Sequence, residues 1–247
     1  MPEGRLLVLH ALTGLHPGSG SSIGFVDLPV QRERHTQWPV IPGSSLKGVL
    51  RSATKENGLA EDDVKTLFGP NTERAHEHAG AIGFVDARVL AFPVRSLRGV
   101  FAWVTCPAVI ERLRRDSELV GCTPPPTPPA VDKEQIRCAK SAPLLIDEGK
   151  KVMLEEFEFT VSGEAAAIGE WIATHAIGDP TQKQRVALLS NDDFTHFVRY
   201  ATEVTARIGL DASSKTVRDG ALFYEEVLPP ETLFYSPILG ARSRRRD

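Results

Sequence analysis

His16–Arg51 reads HPGSGSSIGFVDLPVQRERHTQWPVIPGSSLKGVLR. It combines a Gly/Ser loop, a lone acid, a basic run and a glycine-led helix start, with little periodic apolar pattern before Ser45. A long irregular segment in a compact domain is usually functional or disordered rather than idle connection, and this one does not read as disordered. Before it, Arg5 to Leu12 alternates loosely with apolar residues on both faces, as a strand buried on at least one side does. The glycines Gly18, Gly20 and Gly24 allow close backbone approach, Ser19 donates hydrogen bonds, and His16 can donate, accept or titrate near neutrality. Such a loop suits a phosphate or sugar edge as well as a plain turn. Its GxGxxxG spacing is not the dinucleotide fingerprint.

Asp27 stands between apolar residues just ahead of Pro29. In Gln31-Arg32-Glu33-Arg34-His35 two guanidiniums could grip phosphates, or Glu33 could pair with them on a solvated face. Pro42-Gly43-Ser44-Ser45-Leu46-Lys47-Gly48-Val49-Leu50-Arg51 reads as a helix start with serine caps. Leu46, Val49 and Leu50 share one face, and Lys47 and Arg51 lie four apart on another. Free N–H groups, two hydroxyls and a lysine make either an anion site, although the Walker spacing is absent, or a capped surface helix that happens to carry a lysine.

Further on, Glu61–Phe68 is a short helix with acids at its start. His76-Glu77-His78 lies in a polar loop with too few ligands nearby for a metal. Ala81 to Phe92 and Gly99 to Thr105 read as strands, and Pro107 to Arg115 as a helix whose closing arginines complement its dipole. Ile82-Gly83-Phe84-Val85-Asp86 repeats Ile23-Gly24-Phe25-Val26-Asp27 residue for residue. The repeat is too short for a duplicated domain, and Asp86 is read as structural, the control for Asp27. The prolines of Gly121 to Ala130 exclude helix and central strand, so residues 117–150 read as a Pro-rich linker or mobile insertion. A strand over 151–161 and a helix over 164–175 come next, then a helix over 192–201 capped by Asn191 or Asp192. Residues 204–230 read as a long hairpin with Arg207, Lys215, Arg218, Phe223 and Tyr224, the charges and flat rings that single-stranded RNA binding uses. Glu225 and Glu226 lie just beyond them and could help position a metal or a proton.

Composition bounds these readings. The chain has 247 residues, 41% apolar and 25% charged, as an ordinary globular protein has, and could be one large domain or two small ones. Neither a signal-peptide pattern nor an apolar stretch of the roughly 18 residues a membrane span needs is present, so the expectation is a cytoplasmic protein with no membrane partner. Cys106, Cys122 and Cys138 suggest neither a disulfide framework nor a metal knuckle. A net charge of −3 does not advertise nucleic-acid binding and does not exclude it, because local charge sets the field a ligand meets.

LHPGSG, VDLPVQRERHT and PVIPGSSLKGVLRS, in this order and spacing, resemble the RAMP-superfamily backbone subunits of the type III-B CRISPR effector, the Cmr complex. The resemblance covers most of the chain. It implies an α+β fold with an RNA-recognition-motif (ferredoxin-like) core, inserted loops and a protruding thumb β-hairpin. One RAMP domain over 1–247 would carry a catalytic loop region at 14–42 and the thumb at 204–230. It further implies partners: guide RNA, target RNA, copies of the chain in a helical filament, and other subunits of the complex. The implied activity is endonucleolytic cutting of target RNA at regular intervals with Mg²⁺ or Mn²⁺. Asp27 falls where the family's catalytic and metal-binding aspartate lies, and His16 would be an acid, a base or an RNA contact. Gly18, Ser19, Arg32, Arg34, Ser44, Ser45, Lys47 and Arg51 would contact RNA, and the thumb would unpair a base at each interval. A filament subunit that binds without cutting, and a stand-alone guide-processing nuclease, are the competing readings. In one respect the chain departs from the pattern: it stops at Ala241–Asp247, where relatives continue through a further helix and a glycine-rich segment, which puts the last strand of the first fold in doubt.

Overall fold

The computed structural model describes residues 3–21, 24–74, 76–210 and 217–242. In chain order its strands and helices are β1 (Glu3–His10), β2 (Val40–Ile41), α1 (Gly43–Glu56), α2 (Glu61–Phe68), β3 (Ile82–Phe84), β4 (Ala87–Arg95), β5 (Phe101–Thr105), α3 (Pro107–Leu119), β6 (Gln135–Arg137), β7 (Leu145–Ile146), β8 (Lys151–Leu154), β9 (Phe157–Gly163), α4 (Ala166–Ile172), β10 (Val186–Leu189), α5 (Asn191–Tyr200), β11 (Glu203–Leu210), β12 (Val217–Val227) and β13 (Leu233–Gly240). The fold is α+β, organised on one mixed sheet in the order β1-β13-β4-β5-β10-β6-β9-β8-β7, with β2 added to β4 and β3 to β13. β4 is nearly continuous apolar sequence because it is central, with β13 and β5 on its flanks. Helix α3 packs on β1, β4 and β13, α4 on β10, and α5 on β4.

The structure alters several expectations. The strand expected over 81–92 breaks at Val85-Asp86 into β3 and β4, and the Asp86 carboxylate turns back to accept from the Gly43 N–H at 2.8 Å. That contact caps α1, to which neither expected serine contributes a side-chain bond. The α1 face is also less buried than its spacing suggests: Leu46 is in the core, whereas Val49 is 69% exposed. Helix α3 runs four residues past Arg115, so its arginines do not sit in the last turn. The strand expected over 151–161 is the hairpin β8–β9, turned at Glu155 in a left-handed conformation. The cap of α5 is Ser190, whose hydroxyl accepts from the Asp193 N–H.

Residues 117–150 do not form a detached linker. Chain at 123–131 is irregular, but β6 then enters the sheet between β10 and β9, and Ile136, Cys138 and Leu144 are buried. Three residues with no room for periodicity gave no sign of this strand. Burial pushes the Cys106 thiol up to about 12 and the Cys138 thiol up to about 11, as expected for apolar surroundings.

The 204–230 hairpin is β11–β12, a two-stranded sheet separate from the main one, with Ile208 opposite Leu222 and Arg207 opposite Phe223. The expected position Lys215 lies outside the described residues, as does the side chain of Arg218.

Candidate active site

The segment between β1 and β2 doubles back on itself and is pinned to the root of the hairpin. Gly18 bridges Val30, Arg32 bridges Pro39, Leu15 bridges Leu228, and Leu28 bridges Glu225 in parallel. At the last bridge the Leu28 N–H donates to the Tyr224 carbonyl and the Glu226 N–H to the Leu28 carbonyl, each at 3.0 Å. Asp27 is held beside this short ladder, where its Oδ2 accepts from the Tyr224 N–H at 2.7 Å.

His16 enters the same place from the Gly/Ser limb. Its Nδ1 lies 2.7 Å from the Glu226 carbonyl oxygen. A carbonyl only accepts, so Nδ1 carries the proton and, in the neutral ring, Nε2 keeps its lone pair. Nε2 lies 4.0 Å from Glu225 Oε1, and the opposite oxygen of Glu225 accepts from Arg207 Nε and Nη2 at 3.0 and 2.9 Å. Gly18 flanks the imidazole so closely that a Cβ there would fall 2.8 Å from Nε2.

Glu226 faces the other way, because neighbours on a strand point to opposite sides. Its carboxylate accepts from the Val30 N–H at 2.9 Å, the Arg32 guanidinium at 2.5 Å and the Thr202 hydroxyl at 3.0 Å, and it is buried. A carboxylate so engaged is an anchor, not a group available to a substrate. Thus the structure places His16 beside Glu225 at the hairpin root, holds Asp27 on the neighbouring Tyr224 N–H, and takes Glu226 inside.

The basic candidates divide in the same way. Arg32 is spent internally, on Glu226 and on the Gln37 and Val198 carbonyls. Arg51 ties α1 to the end of α2 through the Gly69 and Pro70 carbonyls and Asn71. Neither guanidinium is free to grip phosphate. Arg34 is exposed, and Lys47, half-buried near the start of α1, stands beside exposed Ser44 and Ser45; none of these side chains makes an ion pair among the described residues. Ser19 folds back on the Pro29 carbonyl through both its N–H and its hydroxyl. Glu33 pairs with Arg112 of α3 at 2.7 Å rather than with Arg32 or Arg34, and its other oxygen accepts from the Thr36 hydroxyl at 2.6 Å. On the hairpin, Ile208, Leu222, Phe223 and Tyr224 are exposed.

Among the described residues, no three His, Cys, Asp or Glu side chains are gathered closely enough to hold a metal by themselves. Asp27 could supply one carboxylate, which fits the way Mg²⁺ is usually held, by one or two carboxylates with phosphates and water completing the shell. Thr202, Val30 and the Tyr224 N–H are parts of this site that sequence reasoning missed. Backbone groups carry no residue signature, and Thr202 had no motif around it.

A two-stranded hairpin joined at its root to a loop that carries a lone acid and a histidine, beside a mixed sheet, defines a class. The sequence model of the RAMP superfamily matches residues 8–244, and the chain belongs to that superfamily. Within it the chain is a member of the Cmr4 family: it is 44% identical over 247 residues to the CRISPR system Cmr endoribonuclease Cmr4 of Pyrococcus furiosus, covering 95% of this chain and 80% of that protein. The crystal structure of oligomeric Cmr4 from Pyrococcus furiosus superposes with a TM-score of 0.77 at 34% identity, over 100% of this chain and 84% of the other. A chain in the cryo-EM structure of the type III-B Cmr-beta complex bound to cognate target RNA has the same fold, with a TM-score of 0.75 at 24% identity over 98% and 85% of the two chains. No helix among the described residues is long and apolar enough to cross a membrane.

Proposed function

We propose that this chain is the backbone subunit of a type III-B CRISPR ribonucleoprotein, and that it binds guide RNA as a filament of copies and cuts the paired target RNA at regular intervals. The observation that carries the reading is the root of the hairpin, where Asp27 accepts from the Tyr224 N–H and His16 lies beside Glu225, with exposed apolar side chains along the strands above. A wedge such as Ile208 with Leu222 can replace the stacking lost when a base is unpaired, a loss of roughly a few kcal/mol. The splayed nucleotide then presents its 2′-hydroxyl in line with the next phosphate, and geometry supplies much of the acceleration. The 2′-oxygen bonds to phosphorus, the P–O5′ bond breaks, and the products are a 2′,3′-cyclic phosphate and a free 5′-hydroxyl.

The chain's own groups cover the proton transfers. The lone pair on His16 Nε2, or the Asp27 carboxylate, takes the 2′-hydroxyl proton, and protonated His16 is the matching donor for the leaving oxygen. Arg207 pairs with Glu225 beside the imidazole. Mg²⁺ or Mn²⁺ held by Asp27 and the RNA would stabilise charge on the phosphate and leaving oxygen. Exposed Arg34, Phe223 and Tyr224 and half-buried Lys47 remain the candidates for RNA contact, together with Ser44, Ser45 and Gly18.

The test is target cleavage by the reconstituted complex with Mg²⁺, comparing wild type, Asp27→Ala and Asp86→Ala. Asp27→Ala should abolish regularly spaced cuts while target binding persists. Asp86→Ala should cut normally and lose about 1 kcal/mol of stability with its helix cap. A deoxynucleotide at the cut position should stop cleavage there. Equal cutting by all three proteins would make this subunit a scaffold, and guide-independent cleavage of repeat RNA would make it a processing enzyme.

A further inference from the structure

The parallel ladder at the thumb root ends one rung early. Leu28 N–H to Tyr224 C=O and Glu226 N–H to Leu28 C=O are regular rungs. In a parallel pair the next bond would run from the Val30 N–H to the Glu226 carbonyl. It does not form. The Val30 N–H donates instead to the Glu226 carboxylate at 2.9 Å, and the Glu226 carbonyl accepts from His16 Nδ1 at 2.7 Å. The side chain of Glu226 has taken over the rung that its own backbone would have made, and the released carbonyl fixes the histidine.

We propose that Glu226 is a positioning residue that sets the tautomer of His16: by satisfying Val30 with its side chain it reserves its carbonyl for Nδ1–H, leaving the Nε2 lone pair directed at the thumb root. Three features support this assignment. The carboxylate is itself locked by Arg32 and the Thr202 hydroxyl, so it cannot swing away from Val30. Arg32 is in turn held by the Val198 carbonyl in the last turn of α5, where a cation is favoured by the helix dipole. Glu225, whose carboxylate lies 4.0 Å from the ring, is on the Nε2 side and leaves Nδ1 to the carbonyl. Without the Glu226 side chain the Val30 N–H would turn to the carbonyl and compete with Nδ1–H for it, weakening the bond that holds the proton on Nδ1.

The chemical consequence rests on the ribonuclease reading above, but the tautomer does not. The first measurement is therefore made on the isolated full-length chain. Imidazole nitrogens are labelled with ¹⁵N, and the His16 signals are identified by their loss in His16→Ala. Wild type should show neutral His16 protonated at Nδ1. Glu226→Ala should move His16 toward the Nε2-protonated form, whereas Arg32→Ala, which loosens the same anchor but leaves Val30 on Glu226, should keep it at Nδ1. Glu226→Gln, which retains one acceptor oxygen for Val30, should restore the wild-type pattern.

If Glu226→Ala keeps the Nδ1 form, or if Arg32→Ala loses it equally, the proposal is overturned and Glu226 is only a brace. The second measurement is cleavage in the reconstituted complex, where Glu226→Ala should cut roughly 10–100-fold more slowly with target affinity unchanged, a part of the 10²–10⁴-fold that proton transfer typically contributes. A shifted tautomer with an undiminished rate would uphold the positioning and refute a proton-transfer role for His16.

Discussion

Asp27 and Asp86 close identical pentapeptides, yet one accepts a hydrogen bond from the hairpin at Tyr224 and the other from the first turn of α1 at Gly43. The pentapeptide cannot separate them; the residues downstream can, since Asp27 runs into Leu28-Pro29 and Asp86 into the buried run of β4. Gly43 shows the same dependence on surroundings. A Cβ there would lie 2.8 Å from the Phe84 carbonyl oxygen, so this glycine serves the approach of α1 to β3, whatever a bound phosphate would add. Cys106 gives a residue-scale prediction about pH. Burial raises its thiol from 9.0 to about 12, so across that interval the unfolded thiol gives up its proton while the native one retains it. The native state then binds more protons, and stability falls as pH rises. Below pH 9.0 the contribution is complete. Urea unfolding at about pH 8 and about pH 10.5 should show that loss, and Cys106→Ala should reduce it.

At the scale of elements, legibility followed length and period. β1, α2, α3 and both limbs of the hairpin could be read because apolar residues recur at a strand or helix spacing with punctuation at their ends. β6 could not: Gln135-Ile136-Arg137 comes after a proline-rich run, and its place beside β10 is set by pairing with strands far along the chain. The candidate site divides similarly. Residues on the acidic loop and hairpin were nameable, but whether Arg32 and Arg51 faced RNA or the interior depended on partners such as Glu226, 194 residues away. Arginine is suited to both, since its fork matches carbonyls and carboxylates as well as phosphates. If β6 is a core strand and not a linker, Ile136→Ala should cost about 2–5 kcal/mol, read as a fall in the denaturant midpoint. A change within about 0.5 kcal/mol, the usual size at a surface position, would return the segment to the surface.

Across the molecule, charges fasten the loop between β1 and β2 to the sheet. Glu33 on the loop reaches Arg112 of α3, and Arg88 of β4 joins Asp116 of α3 at 2.5 Å, with the Tyr235 hydroxyl of β13 on the same carboxylate at 3.1 Å. Burial and then Asp116 push the Tyr235 hydroxyl above the usual tyrosine range, so this network stays protonated at tyrosine through neutral pH. β13 is its keystone, lying between β1 and β4 and also pairing β3. Removing the chain from Leu233 onward should therefore leave β1 and β4 with bare edges, and the fragment should aggregate during refolding where the full chain does not. There is a temporal side to this arrangement. β1 leaves the ribosome first but meets its partner only when Leu233 to Gly240 emerge, a wait of roughly 10–50 s at typical elongation rates. For that interval the nascent chain must keep an apolar strand from pairing elsewhere, and the thumb and acidic loop are made before the strand that closes the sheet beneath them.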